Sequence, residues 1–159
     1  EKGRRDVLNL TAKSRYAVTA MLDLAGQKKE KPVSLADISR RQEISLSYLE
    51  QLFAKLRKNG LVTSIKGPGG GYLLARSANK VSVADIVDSV DENVDVTRCS
   101  GKGNCQGGAV CLTHQLWSEF SEEIRNYLSG INLENLKDRE HVKRVMIRQE
   151  SKQEPEVAF

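Results

Sequence analysis

Tyr16, Ala17, Ala20, Met21 and Leu24 recur at spacings of three and four, a period that predicts an amphipathic helix over residues 10–25. Ser14 stands where it can cap the start. Gly26, the polar run 27–31 and Pro32 end it. A shorter helix follows over 34–42, with Leu35 and Ile38 apolar, Ser34 as cap and Asp37 reaching back. Residues 43–45 make a tight turn. Ser47 opens the next helix with Glu50 as its capping-box partner, and Leu49, Leu52, Phe53 and Leu56 form the buried stripe. Lys58 and Asn59 lead to Gly60, a residue suited to the left-handed stop.

The period then changes from helical to alternating. Residues 61–65 are rich in β-branched side chains and predict a strand, 66–71 a glycine-rich turn, and 72–75 a return strand. Two short capped helices joined by a tight turn are a helix-turn-helix signal, and the hairpin makes it a winged helix. Ser82 and Asp85 open another capped helix carrying Val83, Ile86, Val87 and Val90. Residues 91–98 break the pattern. From Gln115 a long helix places Leu116, Phe120, Ile124 and Leu128 every fourth residue. So long a stripe at the edge of a small domain predicts a dimer interface made by these four. Asn132 begins one more turn.

The expected fold is mainly α with a small β-hairpin wing. A winged helix-turn-helix DNA-binding domain covers 10–80, a connecting helix lies in 81–98, and a cysteine loop fills 99–114. The dimerisation helix and a short following turn cover 115–136. Residues 1–9 read as a disordered N-terminal extension and 137–159 as a charged, disordered tail in which His141 is solvated.

Charge sharpens this picture. Residues 1–80 carry 16 Lys/Arg against 7 Asp/Glu, and the remainder of the 159-residue chain carries 9 against 14, so a net of +9 faces a net of −5. A basic winged helix points to double-stranded DNA. The start of the second motif helix enters the major groove in this architecture. Ser45, Ser47, Tyr48, Glu50 and Gln51 lie there off the buried stripe. Gln51 suits adenine and Glu50 the cytosine amine; Glu50 also repels phosphate, which makes it a discriminator. Arg40, Arg41, Lys55, Arg57 and Lys58 supply phosphate contacts. Lys66 and Gly67 at the wing tip suit a phosphate or a narrow minor groove. The loop GPGGG lacks the Gly-Lys-Ser/Thr ending of a nucleotide cradle. No dinucleotide fingerprint or paired acid and base argues for an enzyme.

All three cysteines lie between residues 99 and 111, with five residues between Cys99 and Cys105, five between Cys105 and Cys111, and two between Cys111 and His114. An odd, clustered count speaks against a secreted disulfide framework and for metal or redox chemistry in a reduced compartment. No apolar run approaches a membrane span, and the basic N-terminus lacks the apolar segment of a secretory signal, so a cytoplasmic protein is expected. Three chemistries stay open. Zinc favours close Cys-x-x-Cys pairs. A disulfide switch leaves His114 without a role. Three thiolates and an imidazole complete the ligands of a [2Fe–2S] cluster, since histidine replaces cysteine in Rieske-type centres.

The segments YAVTAMLDLA, SLADISRRQEISLSYLEQLFAKLRKNGLV, GPGGGYLL and RCSGKGNCQGG with the following CLTH carry a resemblance. Over residues 10–136 the chain resembles the iron–sulfur cluster regulators among the bacterial winged-helix transcription factors. The resemblance implies a homodimeric DNA-binding repressor and activator that senses cluster status and controls genes such as those for cluster assembly. It implies a [2Fe–2S] cluster on Cys99, Cys105, Cys111 and His114, delivered by a cluster-assembly scaffold, and pseudo-palindromic promoter sites of two classes that Glu50 distinguishes. The histidine implies a labile cluster. A redox- or metal-responsive regulator using a disulfide or zinc in the same loop is the alternative. Two positions depart from the pattern: Lys66 replaces an arginine, which has a planar fork that lysine lacks, and Ser14 replaces a glycine.

Overall fold

The computed structural model describes residues 12–28, 30–90 and 94–152. The 1–9 extension expected from the sequence lies outside them. Helix α1 (Ala12–Gly26) turns Ala17, Ala20, Met21 and Leu24 inward. Ser14 is no cap: it sits inside α1, 3% exposed. Helix α2 (Leu35–Gln42) is capped by Ser34, whose hydroxyl accepts from Asp37 N, and ends on Glu43 in the left-handed region at φ +56°. Asp37 does not reach back; its carboxylate pairs with Arg40 at 2.8 Å.

Helix α3 (Leu46–Lys58) starts earlier than expected. Its cap is Ser45, whose hydroxyl accepts from Tyr48 N, and not Ser47. The reason is Ile44, 4% exposed, which must reach the core and so fixes the chain direction just before the helix. Ser47 instead shares a hydrogen bond with Ser45 at 3.0 Å, and Glu50 is released from any capping role. Gly60 closes the helix at φ +76°.

Strands β1 (Val62–Ile65) and β2 (Gly71–Leu74) pair antiparallel, Val62 opposite Leu74 and Ile65 opposite Gly71. Val33 adds a bridge to β2, its N–H donating to Tyr72 O and its carbonyl accepting from Tyr72 N. A side chain at Gly71 would collide with the Val33 carbonyl, so glycine is needed there. Phe53 packs edge-to-face on Tyr72 at 4.9 Å, which ties α3 to the hairpin.

After a 3₁₀ turn at Ala78–Lys80 comes α4 (Val83–Ser89), with the expected reciprocal capping box of Ser82 and Asp85. Helix α5 (His114–Ser129) starts at the histidine itself. Helix α6 (Leu133–Lys137) is short, yet Leu133 is fully buried in the winged-helix core. Leu133 N donates to Val81 O and Val83 N to Ile131 O. The turn expected after the dimerisation helix is therefore part of the N-terminal domain.

The largest departure is the tail. Where disorder was expected, helix α7 (Glu140–Ser151) forms. Val142, Val145, Met146 and Gln149 are its half-buried positions, a helical period hidden among charges. Met146 lies over Gly26, where an added Cβ would meet its Cε at 2.6 Å. Gln149 exchanges two amide hydrogen bonds with Gln42, at 2.9 and 3.0 Å. His141 is exposed, as expected. Among the described residues no helix is long and apolar enough to cross a membrane.

Candidate functional site

The loop before α5 is built from the outside inward. Its entry is pinned by Val96 N donating to Ser121 Oγ at 2.8 Å. Thr97 is buried, donates to Asp95 Oδ1, and accepts from Gly101 N at 2.7 Å. Its second half is a hairpin in which Gln106 and Ala109 exchange backbone hydrogen bonds at 2.9 Å. The two residues between them are Gly107 and Gly108, at φ +55° and +85°, the twist that a tight two-residue turn demands. This turn brings Cys111 back to Cys105, and Cys111 N donates to Cys105 Sγ at 2.9 Å.

The result gathers Cys99, Cys105 and His114, whose ligating atoms all lie within 4.8 Å of one another. His114 Nδ1 is 3.4 Å from Cys99 Sγ and 3.6 Å from Cys105 Sγ. On the far side of the ring, Nε2 is 3.3 Å from Ser118 Oγ. Cys111 is half-buried and falls outside this tight group of three, its Sγ 4.0 Å from Thr113 Oγ1. All three cysteines are free thiols.

The sulfurs are not equivalent. Burial alone would push the Cys99 thiol up, but the Gly103 and Asn104 N–H groups and the Thr97 hydroxyl stabilise its thiolate and bring it down to about 6. Burial pushes the Cys105 thiol up, and the neighbouring sulfurs add to this. A hydrogen bond with Cys105, and then the Thr113 N–H, hold Cys111 down. Soft sulfurs that receive backbone N–H groups, with an imidazole between two of them, fit a metal ion or an iron–sulfur cluster.

Most of the expected DNA contacts are exposed. Ser45, Ser47, Glu50 and Gln51 are exposed on the first turns of α3, while Tyr48 is half-buried and stacks edge-to-face on Tyr16 at 5.7 Å. Lys66 and Gly67 are exposed at the wing tip, and Arg57 donates to Ser64 Oγ on β1 at 3.3 Å. Arg41 is not among the phosphate contacts. Its side chain is 6% exposed and forks onto Asp23 at 2.8 and 2.9 Å. That carboxylate raises the Arg41 pKa by hydrogen bonding, against the opposing effect of burial.

The α5 stripe divides. Leu116 and Phe120 are exposed at 55% and 47%, alongside Trp117 and Tyr127. Ile124 and Leu128 instead pack on Val83, Val87 and Val94 of their own chain. Arg125 forks onto Asp88 of α4 at 2.8 and 3.2 Å. Sequence reasoning missed Ser118 and Ser121; starting the helix at His114 places Ser118 one turn on, and that spacing was the available signal.

Comparison with known proteins gives the same direction. Residues 10–139 match the Rrf2 family, described as an iron-dependent transcriptional regulator. The HTH-type transcriptional regulator IscR of Xenorhabdus nematophila is 60% identical over 144 residues, spanning 91% of this chain and 88% of that protein. The solved structure of T. potens IscR matches with a TM-score of 0.69 at 39% identity, covering 86% of this chain and 91% of that one. That of CymR, the global cysteine regulator of B. subtilis, matches with a TM-score of 0.70 at 30% identity, covering 81% and 95%. These relatives are regulators and not enzymes, and their common architecture is the winged helix built here from caps, stripes and a hairpin. With its fold, its Cys/His group and this similarity taken together, the chain belongs to the Rrf2 family of iron-dependent transcriptional regulators and is a regulator of the IscR type.

Proposed function

We propose that this regulator is a cytoplasmic homodimer that reports iron–sulfur cluster status to DNA, acting as repressor and activator on pseudo-palindromic promoter sites. Cys99, Cys105, Cys111 and His114 would hold a [2Fe–2S] cluster, received from a cluster-assembly scaffold. The convergence of Cys99, Cys105 and His114 within 4.8 Å, with a backbone N–H already donating to Cys105 Sγ, carries this reading. When bound, the cluster supplies a one-electron redox couple and a cross-link among its ligands.

The chain's own residues supply the rest. His114 is the first residue of α5, so any ligand that fixes its ring also fixes the start of that helix. Helix α5 grips α4 through Ile124, Leu128 and the Arg125–Asp88 pair. The next residue of α4, Ser89, accepts from Asn59 Nδ2 at the end of α3 through its carbonyl at 3.4 Å. The loop is thereby joined to the recognition helix by three contacts, and a coupling of about 1–3 kcal/mol is the ordinary size for such a link. Each protomer offers Ser45, Ser47, Tyr48, Glu50 and Gln51 to a half-site, Lys66 and Gly67 to the adjoining minor groove, and Arg57 to the phosphates. The two recognition helices stand about 34 Å apart, one DNA turn. Glu50, exposed and without a capping duty, rejects one class of site unless the loaded state re-aims it.

Anaerobic purification tests this directly. A visible chromophore with about two irons and two sulfides per chain is expected; a colourless protein holding zinc after reconstitution overturns the cluster. In the Glu50→Ala variant, the cluster-free protein is expected to gain affinity at cluster-dependent promoters in a salt-controlled binding assay, and no gain removes the discriminator.

A further inference from the structure

Among the candidate ligands, His114 alone has a choice of atoms. Nδ1 faces Cys99 Sγ and Cys105 Sγ at 3.4 and 3.6 Å, while Nε2 faces Ser118 Oγ at 3.3 Å. A neutral imidazole carries one N–H and one lone pair. A metal takes the lone pair, so the partner of the other nitrogen decides which end ligates.

We infer that Ser118 is a positioning residue of the metal centre: it accepts the Nε2–H of His114 and so commits Nδ1 as the ligating nitrogen. This rests on the metal-centre reading given above and adds to it the ligating atom and the residue that selects it.

The geometry assigns the roles. Nδ1 turned toward two sulfurs accepts from the Cys105 thiol in the metal-free protein and offers its lone pair to a metal in the loaded one. Both roles require the proton on Nε2, and a hydroxyl one helical turn away is placed to receive it. His114 opens α5 and Ser118 lies four residues on, on the same face of that helix. The neighbouring hydroxyl does different work: Ser121 Oγ accepts from Val96 N and donates to Trp117 O, which ties the loop's entry to α5 without touching the ring. Ser118 is half-buried, so bulk water is a poorer substitute for it than at an exposed site. Losing the hydroxyl frees the ring to flip or to move its proton to Nδ1, and either change removes the lone pair from the sulfur side.

Two measurements on the full chain decide this. In the reduced, metal-free protein, long-range ¹H–¹⁵N spectra of the histidine side chains are expected to show His114 as the Nε2–H tautomer. The same is expected of Ser118→Thr, with a mixture of tautomers in Ser118→Ala. A wild-type chain dominated by Nδ1–H overturns the inference. In the anaerobically loaded protein, Ser118→Ala is expected to lose its visible chromophore to a chelator about 10-fold faster than wild type, the usual scale for such outer partners. Its reduction potential should shift, and Ser118→Thr should restore both values. Equal loss rates and equal potentials in wild type and Ser118→Ala overturn the positioning role while leaving the cluster in place. A wild-type chain that takes up no cluster overturns the function proposed above instead, and the tautomer measurement still decides the role of Ser118. Unchanged helical circular dichroism in both variants excludes a folding defect as the cause.

Discussion

Helices α3 and α5 are both amphipathic, and they end up in different situations. The 13-residue α3 buries Leu49, Leu52, Phe53 and Leu56. The 16-residue α5 has no buried residue at all. The first covers its stripe with its own domain, against α1, α4 and the hairpin. The second covers only Ile124 and Leu128 on α4, and leaves Leu116, Trp117, Phe120 and Tyr127 in the open. A helical period thus says that one face needs cover, not which molecule provides it. Large apolar side chains left exposed side by side, as Trp117 and Phe120 are, make the surface that the proposed dimer would cover.

Breaking α3 has the largest expected effect. Phe53 is fully buried and carries the contact to Tyr72 of the wing. Phe53→Ala is expected to cost about 3–5 kcal/mol in urea denaturation, a large share of the stability of a domain this size. An effect below about 1 kcal/mol would mean that the site collapses around the smaller side chain and that α3 is not the centre of the core.

Phe120→Asp probes the other helix and should separate fold from assembly. Sedimentation is expected to shift towards monomer. The unfolding of the isolated monomer should stay within about 0.5 kcal/mol, as for a surface change. Wild-type melting should rise with concentration while the variant's does not. A variant that remains dimeric would move the interface away from the Leu116–Phe120 patch.

The same contrast explains what the sequence disclosed. Helices α2 and α3 and the hairpin were legible because their signals are local: Ser34, Gly60 and the alternation in 61–65 act within one turn or strand. The cap of α3 was placed two residues late because Ser45 and Ser47 are equally good caps in isolation, and only the burial of Ile44 selects between them. The cysteine spacing exposed a candidate metal centre but not its internal order. Cys111 is the outlier: the Gly107–Gly108 turn returns its backbone N–H to Cys105 Sγ, and its thiol, although hydrogen-bonded to Cys105, lies outside the group formed with His114. Arg41 read as a DNA contact because its partner Asp23 lies 18 residues earlier. The turn after α5 was legible, but the burial of Leu133 and the whole of helix α7 were missed for the same reason: their partners are distant, and the period of α7 is carried in part by a glutamine.

Helix α7 supplies the smallest of these tests and a middle case between α3 and α5. Its cover is narrow: Val142 and Val145 are only half-buried, Met146 lies over Gly26, and Gln149 pairs its amide with Gln42. Gln42 also donates to Asp23 at 2.8 Å, on the carboxylate that holds Arg41. Removing the Gln149 amide leaves that ion pair intact, strips the half-buried Gln42 Oε1 of its donor and leaves Gln42 Nε2 with Asp23 alone. Each such hydrogen bond contributes about 1 kcal/mol, so Gln149→Ala is expected to lose about 1–2 kcal/mol, with amide exchange rising first in α7. Ile147 is 66% exposed on the opposite face, and Ile147→Ala should change stability by under about 0.5 kcal/mol. If the two substitutions cost the same, the amide pair does not hold α7 to α2. The helix would then stand closer to α5, with a face still in need of cover, than to α3.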